Sequence, residues 1–357
     1  MSGMAPQPAR IARLRQLMRR QDIAMLLVSR RENVRYLTGF TGSAGSALIG
    51  ASGRPFLVTD FRYQEQARAE SPGVKLLIQK KDHFSTIRTA AEQAGADSLW
   101  FDESSLTLDR VRELRKLKLP MRGAKDLVAE LRVQKDASEL ALIRKAILRA
   151  ERAFRMLKPR IRPGVTEKEL GLRLEMLIRE QGSRRAAFDI IVASGKNGAM
   201  PHASVSDRRL RSGDLVTIDF GAEADGYYSD ITRTVCIGSP TARQREIHDL
   251  VLRAQQASIQ AAAPGVACAA IDRAARSIID GAGRGKQFGH ATGHGVGLMV
   301  HETPTIAAPA KGDIREGMVF TVEPGVYIPG WGGVRIEDMV LVTKSGHRVL
   351  TSLPRDL

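Results

Sequence analysis

Apolar positions in the first third of the chain alternate between two periods. Ile11, Leu14, Leu17 and Met18 recur at helical spacing, and Ile23 to Val28 is a short continuous apolar run suited to a buried strand. Further strands are predicted at Ala47 to Ile49, Phe56 to Val58, Val74 to Ile78 and Leu99 to Phe101. Helical patterns fall around Tyr63 to Ala69, Phe84 to Ala94 and Thr107 to Leu119. This alternation predicts a small α/β layer structure. The glycine-rich stretch Gly39 to Gly45 lacks the Lys-Ser/Thr ending of a phosphate loop and reads as a tight turn.

The pattern changes near Arg132 to Asp136, which divides the chain into expected domains 1–132 and 133–357. Beyond the boundary, Leu140, Ile143, Ile147, Phe154 and Leu157 share one helical face, and Pro163-Gly164 ends that segment. Thr166 followed by Glu169 is a capping-box signature for a helix that Gly182 closes. Long helices (Ala242 to Ala262, Ala269 to Gly281) then alternate with apolar strands at Leu215 to Phe220, Met318 to Val322 and Val334 to Val342. The second domain is therefore expected to be α+β.

Composition narrows the class. At 357 residues, 43% hydrophobic and 26% charged, the chain is an ordinary globular one with length for two domains. Two cysteines, Cys236 and Cys268, exclude a disulfide scaffold and a cysteine-ligated zinc module. No apolar run approaches the roughly 20 residues of a membrane span. Met1 to Arg20 lacks the apolar core of a signal peptide, so a reducing cytoplasmic location is expected. The net charge of +16 is spread along the chain, and aromatics make up only 5%. Dedicated nucleic-acid binding, which clusters basic residues and interleaves aromatics, is not expected.

Acidic residues then appear where strands should be apolar. Asp219 lies in Leu215–Phe220, Asp230 follows eleven positions on with Gly226 between, Glu323 follows Met318–Val322, and Glu337 interrupts Val334–Val340. A buried carboxylate costs several kcal/mol unless a cation or metal compensates it. Each acid by itself could be a strand-end or solvent-facing residue. Four together, beside His290-Ala291-Thr292-Gly293-His294-Gly295-Val296-Gly297 and His301, make an oxygen-rich inventory for two divalent ions. Bridging carboxylates would set such ions about 3.5–4 Å apart, with a water between them as nucleophile toward a polarised carbonyl. Hard oxygen donors favour manganese, and the imidazole also admits cobalt or zinc.

The ordered segments Asp219-Phe220-Gly221-Ala222, Ser229-Asp230-Ile231-Thr232-Arg233-Thr234, His294-Gly295-Val296-Gly297, Glu323-Pro324-Gly325 and Arg335-Ile336-Glu337-Asp338 resemble those of the pita-bread metallopeptidases. That superfamily includes methionine aminopeptidase, aminopeptidase P and prolidase. Asn33 to Ile49 and Thr59-Asp60-Phe61-Arg62-Tyr63 resemble the creatinase-like N-terminal domain of its Xaa-Pro branch. The resemblance implies a creatinase-like α/β domain followed by an α+β pita-bread catalytic domain. It implies that Asp219, Asp230, His294, Glu323 and Glu337 bind two metals. Asp230 and Glu337 would bridge them, Asp219 would complete one shell, and His294 and Glu323 the other. Glu323 would also serve as general base, His202 and His301 would contact substrate and the tetrahedral intermediate, and His290, Tyr327 and Arg335 would line the pocket. For Arg335, a salt bridge to a ligand carboxylate and direct substrate contact are both open.

The full ligand set separates the chain from creatinase. Its N-terminal domain and the Asp338 after Glu337 separate it from methionine aminopeptidase. Some prolidases carry an arginine shortly after the His-Glu pair, whereas here Thr303-Pro304-Thr305 follows His301-Glu302. That absence favours an Xaa-Pro aminopeptidase acting on longer proline-containing peptides, with the dipeptidase prolidase as the alternative. A pita-bread binding module without catalysis is a remote third reading, because such modules lose ligands and these five positions are filled. The resemblance further implies a homodimer.

Overall fold

The computed structural model describes residues 6–357. The chain divides into two compact units, one up to Arg132 and one from Val133 to Leu357.

The first unit is built on six short strands: β1 (Met25–Val28), β2 (Gly45–Gly50), β3 (Phe56–Thr59), β4 (Lys75–Ile78), β5 (Leu99–Asp102) and β6 (Met121–Ala124). They form one mixed sheet in the order β4-β3-β2-β1-β5-β6. Strand β1 runs antiparallel to β2 and parallel to β5, and all four of its residues are buried, as its unbroken apolar run requires. In the first helix, Pro6–Arg20, Leu14 and Met18 have no exposed surface, while Leu17 is only partly covered. Two expectations need correction. The helix foreseen to Leu119 stops at Arg115, and Lys118 takes φ 56°. Gly39 is not part of a tight turn: it is the left-handed cap (φ 84°) of a helix, Arg31–Thr38, whose charged sequence hid it.

The second unit carries the longer elements. Its first helix, Ala137–Leu157, opens on a capping box of Asp136 with Glu139. The helix Glu167–Glu180 opens on the Thr166–Glu169 box read from the sequence. Helices Ala242–Gln260 and Cys268–Gly281 follow as expected to within two residues. The strands are β7 (Ile191–Ser194), β8 (Leu215–Phe220), β9 (Glu223–Ala224), β10 (Tyr227–Tyr228), β11 (Ile231–Cys236), β12 (Gly293–Gly295), β13 (Glu302–Ile306), β14 (Val319–Val322), β15 (Gly325–Ile328), β16 (Gly332–Arg335), β17 (Asp338–Thr343) and β18 (Gly346–Val349). Antiparallel pairing gives a three-stranded sheet β11-β8-β7, a five-stranded sheet β13-β12-β14-β17-β18, and two hairpins, β9–β10 and β15–β16. The β9–β10 turn, Asp225-Gly226, has positive φ at both residues (46° and 77°), the demand of a two-residue hairpin loop.

Here too the sequence reading is corrected. Val334 to Val342 is not one strand, since β16 and β17 belong to different sheets and separate at Ile336-Glu337. The Glu337 N–H turns to Thr232 O of β11, 3.2 Å away. Only Asp219 lies within a strand. Asp230, Glu323 and Glu337 sit just outside strand ends, where the backbone is released from the ladder and the side chains of two sheets can converge.

Candidate active site

Five elements bring the acidic residues and His294 together. Asp219 is on β8 opposite Thr232, and Asp230 immediately precedes β11, the partner of β8. Val322 pairs with Asp338, so Glu323 leaving β14 and Glu337 entering β17 are the next residues beyond that pair. His294 lies on β12, the neighbour of β14, and its N–H donates to Thr321 Oγ1 at 3.1 Å. The glycines beside it allow close backbone approach, because a Cβ at Gly293 would overlap Thr321 O and one at Gly295 would overlap Thr303 O.

Ligand-type atoms of Asp230, His294 and Glu337 lie within 4.8 Å of one another. His294 Nε2 stands 3.3 Å from Glu323 Oε1 and 3.6 Å from Asp230 Oδ2. Its Nδ1–H donates to Gly295 O at 3.2 Å, which leaves Nε2 for the carboxylates. Asp219 Oδ2 accepts from Arg335 Nη2 at 2.7 Å, whereas its buried Oδ1 has no hydrogen-bond partner among the described residues. Thr232 Oγ1 donates to Glu337 Oε2 at 2.7 Å and accepts from Arg335 Nε at 3.1 Å.

The electrostatics are those of a surplus of negative charge. Burial first, then neighbouring Glu337, Asp219 and Glu323, push the Asp230 carboxyl well above its ordinary range. Burial, then Glu323 and Asp219, do the same to Glu337, and burial also raises Asp219 against the opposing Arg335. Glu323 is the exception: burial raises it, but His294, Arg335 and His290 outweigh that and leave it lowered. An orphaned carboxylate oxygen and four convergent acids beside one imidazole fit divalent cations bound by hard donors. Asp219, Asp230, His294, Glu323 and Glu337 are the residues that would hold them.

A second group surrounds this centre. Arg335, 3% exposed, joins Asp219 to Tyr327 OH at 3.0 Å and to Pro201 O at 3.1 Å, so it reaches a candidate ligand carboxylate directly. Tyr327 OH also contacts His290 Nε2 at 2.9 Å, and His290 Nδ1–H donates to Ala291 O at 2.7 Å. That arrangement leaves Nε2 as acceptor of the tyrosine proton, in keeping with a His290 pKa that burial lowers. Burial pushes Tyr327 up to about 12. The ring of His301 stands 4.2 Å from that of His294, edge to face. His202 is exposed, directly after the Pro201 carbonyl that Arg335 holds.

Sequence reasoning missed Thr232 and Thr321, whose hydroxyls orient Glu337 and Glu323. Each lies two positions from a ligand-type acid, and the strand period of two was a usable signal. It also missed Asp272 and Arg276, an i,i+4 pair. Their contacts to Thr292 Oγ1 at 2.7 Å and to the carbonyl of His290 at 2.9 Å hold the histidine loop.

A mixed α/β unit, followed by antiparallel sheets whose strand ends converge on acids and one imidazole, defines a two-domain metallopeptidase with a pita-bread catalytic unit. The chain belongs to metallopeptidase family M24, which it matches over residues 141–344, and residues 10–134 match the creatinase/prolidase N-terminal domain. It is 38% identical to an Xaa-Pro dipeptidase of Pyrococcus horikoshii over 98% of both chains. Among solved structures it is similar to an Xaa-Pro dipeptidase from Bacillus anthracis (38% identity, TM-score 0.95, 98% of this chain and 99% of that one). It is also similar to an X-Pro aminopeptidase from Thermotoga maritima (36% identity, TM-score 0.89, 96% and 100%). No helix among the described residues is long and apolar enough to cross a membrane.

Proposed function

We propose that this chain is a dinuclear-metal Xaa-Pro dipeptidase that hydrolyses the bond between the two residues of an Xaa-Pro dipeptide. The observation that carries the reading is an intact set of five ligand-type side chains in a chain similar from end to end to proteins named Xaa-Pro dipeptidase. The expectation of an Xaa-Pro aminopeptidase therefore gives way to its alternative. Aminopeptidase activity stays as a second reading because of the Thermotoga maritima likeness and the missing arginine after His301-Glu302. Resident Mn²⁺, a homodimer and a cytoplasmic location are part of the proposal.

Two divalent ions bound by Asp219, Asp230, His294, Glu323 and Glu337 would supply the positive charge that neutralises the carboxylates and activates water and carbonyl alike. Glu323, whose carboxyl is held below its ordinary range by His294, Arg335 and His290, takes a proton from the attacking water and passes it to the leaving proline nitrogen. His202 and His301 donate to the oxygen that gains charge in the tetrahedral state. Tyr327, His290 and Arg335 line the pocket, and Arg335 fixes one oxygen of Asp219. Proline suits a dedicated enzyme because its tertiary amide lacks an N–H and its ring restricts the backbone.

The test is cleavage of matched Xaa-Pro and Xaa-Pro-Yaa-Zaa peptides by metal-stripped protein reloaded with Mn²⁺, with Asp230→Ala as the blank. Preference for the dipeptide is expected, preference for the longer peptide would establish the aminopeptidase, and failure to cleave either would end the peptidase reading.

A further inference from the structure

Next to Glu337 lies a buried ion pair that the proposed chemistry does not use. Arg233, 2% exposed, contacts Asp338, which has no exposed surface, through Nη2 and Oδ1 at 2.7 Å. All five N–H donors of Arg233 are engaged. Nη1 donates to Glu337 O at 2.6 Å and Thr232 O at 2.8 Å, Nη2 also donates to Leu353 O at 2.8 Å, and Nε donates to Pro354 O at 2.8 Å. The planar guanidinium thus links the backbone of one ligand-bearing segment to a segment, Thr351–Arg355, that lies beyond the family match at residue 344.

That segment is held at several points. Thr351 Oγ1 donates to Asp338 Oδ1 at 2.5 Å, Arg355 Nε to Asp338 Oδ2 at 2.5 Å, and Gln255 Nε2 to the same Oδ2 at 2.6 Å. Ser352 Oγ donates to Glu151 Oε2 at 2.6 Å, and His248 Nε2 donates to Arg355 O at 2.7 Å. Asp338 accepts four hydrogen bonds, so neither of its oxygens is left to shift.

We propose that Arg233 and Asp338 are positioning residues for Glu337, and that Thr351 and Arg355 strap them in place from beyond the family match. The strap fixes Asp338 and Arg233, and Arg233 fixes Glu337 O and Thr232 O. Thr232 in turn donates its hydroxyl to the Glu337 carboxylate. Glu337 is therefore gripped at its N–H, its C=O and one carboxylate oxygen. A rigid carboxylate is ordered before the cation arrives, so cation binding orders fewer groups. Partners of ligands typically contribute about 10–100-fold to metal affinity.

The inference rests on the metal-centre reading, and the experiment separates the two. Mn²⁺ binding to the metal-stripped full chain is measured by isothermal titration for the wild type, Thr351→Val, Arg355→Ala, their combination and Thr351→Ser, with thermal melting of each. Thr351→Val keeps the branched shape but takes one of four hydrogen bonds from buried Asp338, and Arg355 is partly exposed, so some loss of melting temperature is expected and is read separately from affinity. The double variant should bind at least one Mn²⁺ about 10-fold more weakly, while Thr351→Ser, which keeps the hydroxyl, stays near wild type. A double variant that melts earlier yet binds Mn²⁺ with unchanged affinity would overturn the strap and leave the centre standing. A wild type that binds no Mn²⁺ would bring down the centre and the strap with it.

Discussion

Asp230 and Glu337 show what the site costs the fold. Their carboxyls are raised first by burial and then by neighbouring carboxylates, so the folded metal-free chain holds these protons more tightly than the unfolded chain does. For a carboxyl raised on folding, the stability contribution is present below the unfolded pKa and is lost as pH climbs through the folded one. Metal-free protein with Asp230→Asn should therefore melt higher than metal-free wild type, by roughly 2–4 °C for each kcal/mol of repulsion removed, while losing stoichiometric Mn²⁺. A lower melting point would show that a folded-state partner already compensates the charge. By the same linkage, Mn²⁺ binding should release protons and weaken as pH falls, which titration in buffers of different ionisation enthalpy would read. His202 is exposed and outside the cluster of Asp230, His294 and Glu337. His202→Ala should lower kcat about 10²-fold at unchanged metal content, and metal loss equal to that of Asp230→Ala would put it in the shell instead.

Hairpins and caps act at the scale of elements, and their failures should be separable. A Cβ at Gly221 would overlap Ser229 O, inside the connection that carries Asp219 and Asp230. Gly221→Ala should consequently weaken Mn²⁺ binding as well as stability. Thr166→Ala breaks the capping box of Glu167–Glu180, away from the carboxylates, and should cost about 1 kcal/mol with metal affinity intact. A denaturant melt and a metal titration on both variants would check the contrast. If Thr166→Ala lowered metal affinity as much as Gly221→Ala, the site would be sensitive to any loss of stability and the local argument would fail.

For the whole molecule, the proposed homodimer predicts a sedimenting mass twice the 39.0 kDa of the chain. A species at 39.0 kDa under working concentrations would remove that part of the proposal. Chelation should abolish peptide hydrolysis, and Mn²⁺ should restore it. The substrate question also belongs here: likeness along nearly the whole length of proteins named Xaa-Pro dipeptidase supports the proposed dipeptidase, while likeness to an X-Pro aminopeptidase and the missing arginine support the second reading.

The residues by themselves pointed to a division near Arg132, the Thr166–Glu169 capping box, most helix spans and four acids out of place in apolar runs. Each of these is written in local periodicity, in short-range capping chemistry, or in the misfit of an acid within an apolar run. What the tertiary structure alone decided is how those acids meet. The pattern Val334 to Val342 reads as one strand, because side-chain alternation does not record which sheet a backbone joins. Only the pairing of β16 with β15 and of β17 with β14 shows the break that frees Glu337. The choice of Arg335 for Asp219, the donation of Thr232 to Glu337, and the grip of Thr351 and Arg355 on Asp338 span up to 116 residues of separation. Such contacts depend on strand register and sheet packing, which a period of two or of 3.6 along the chain does not encode.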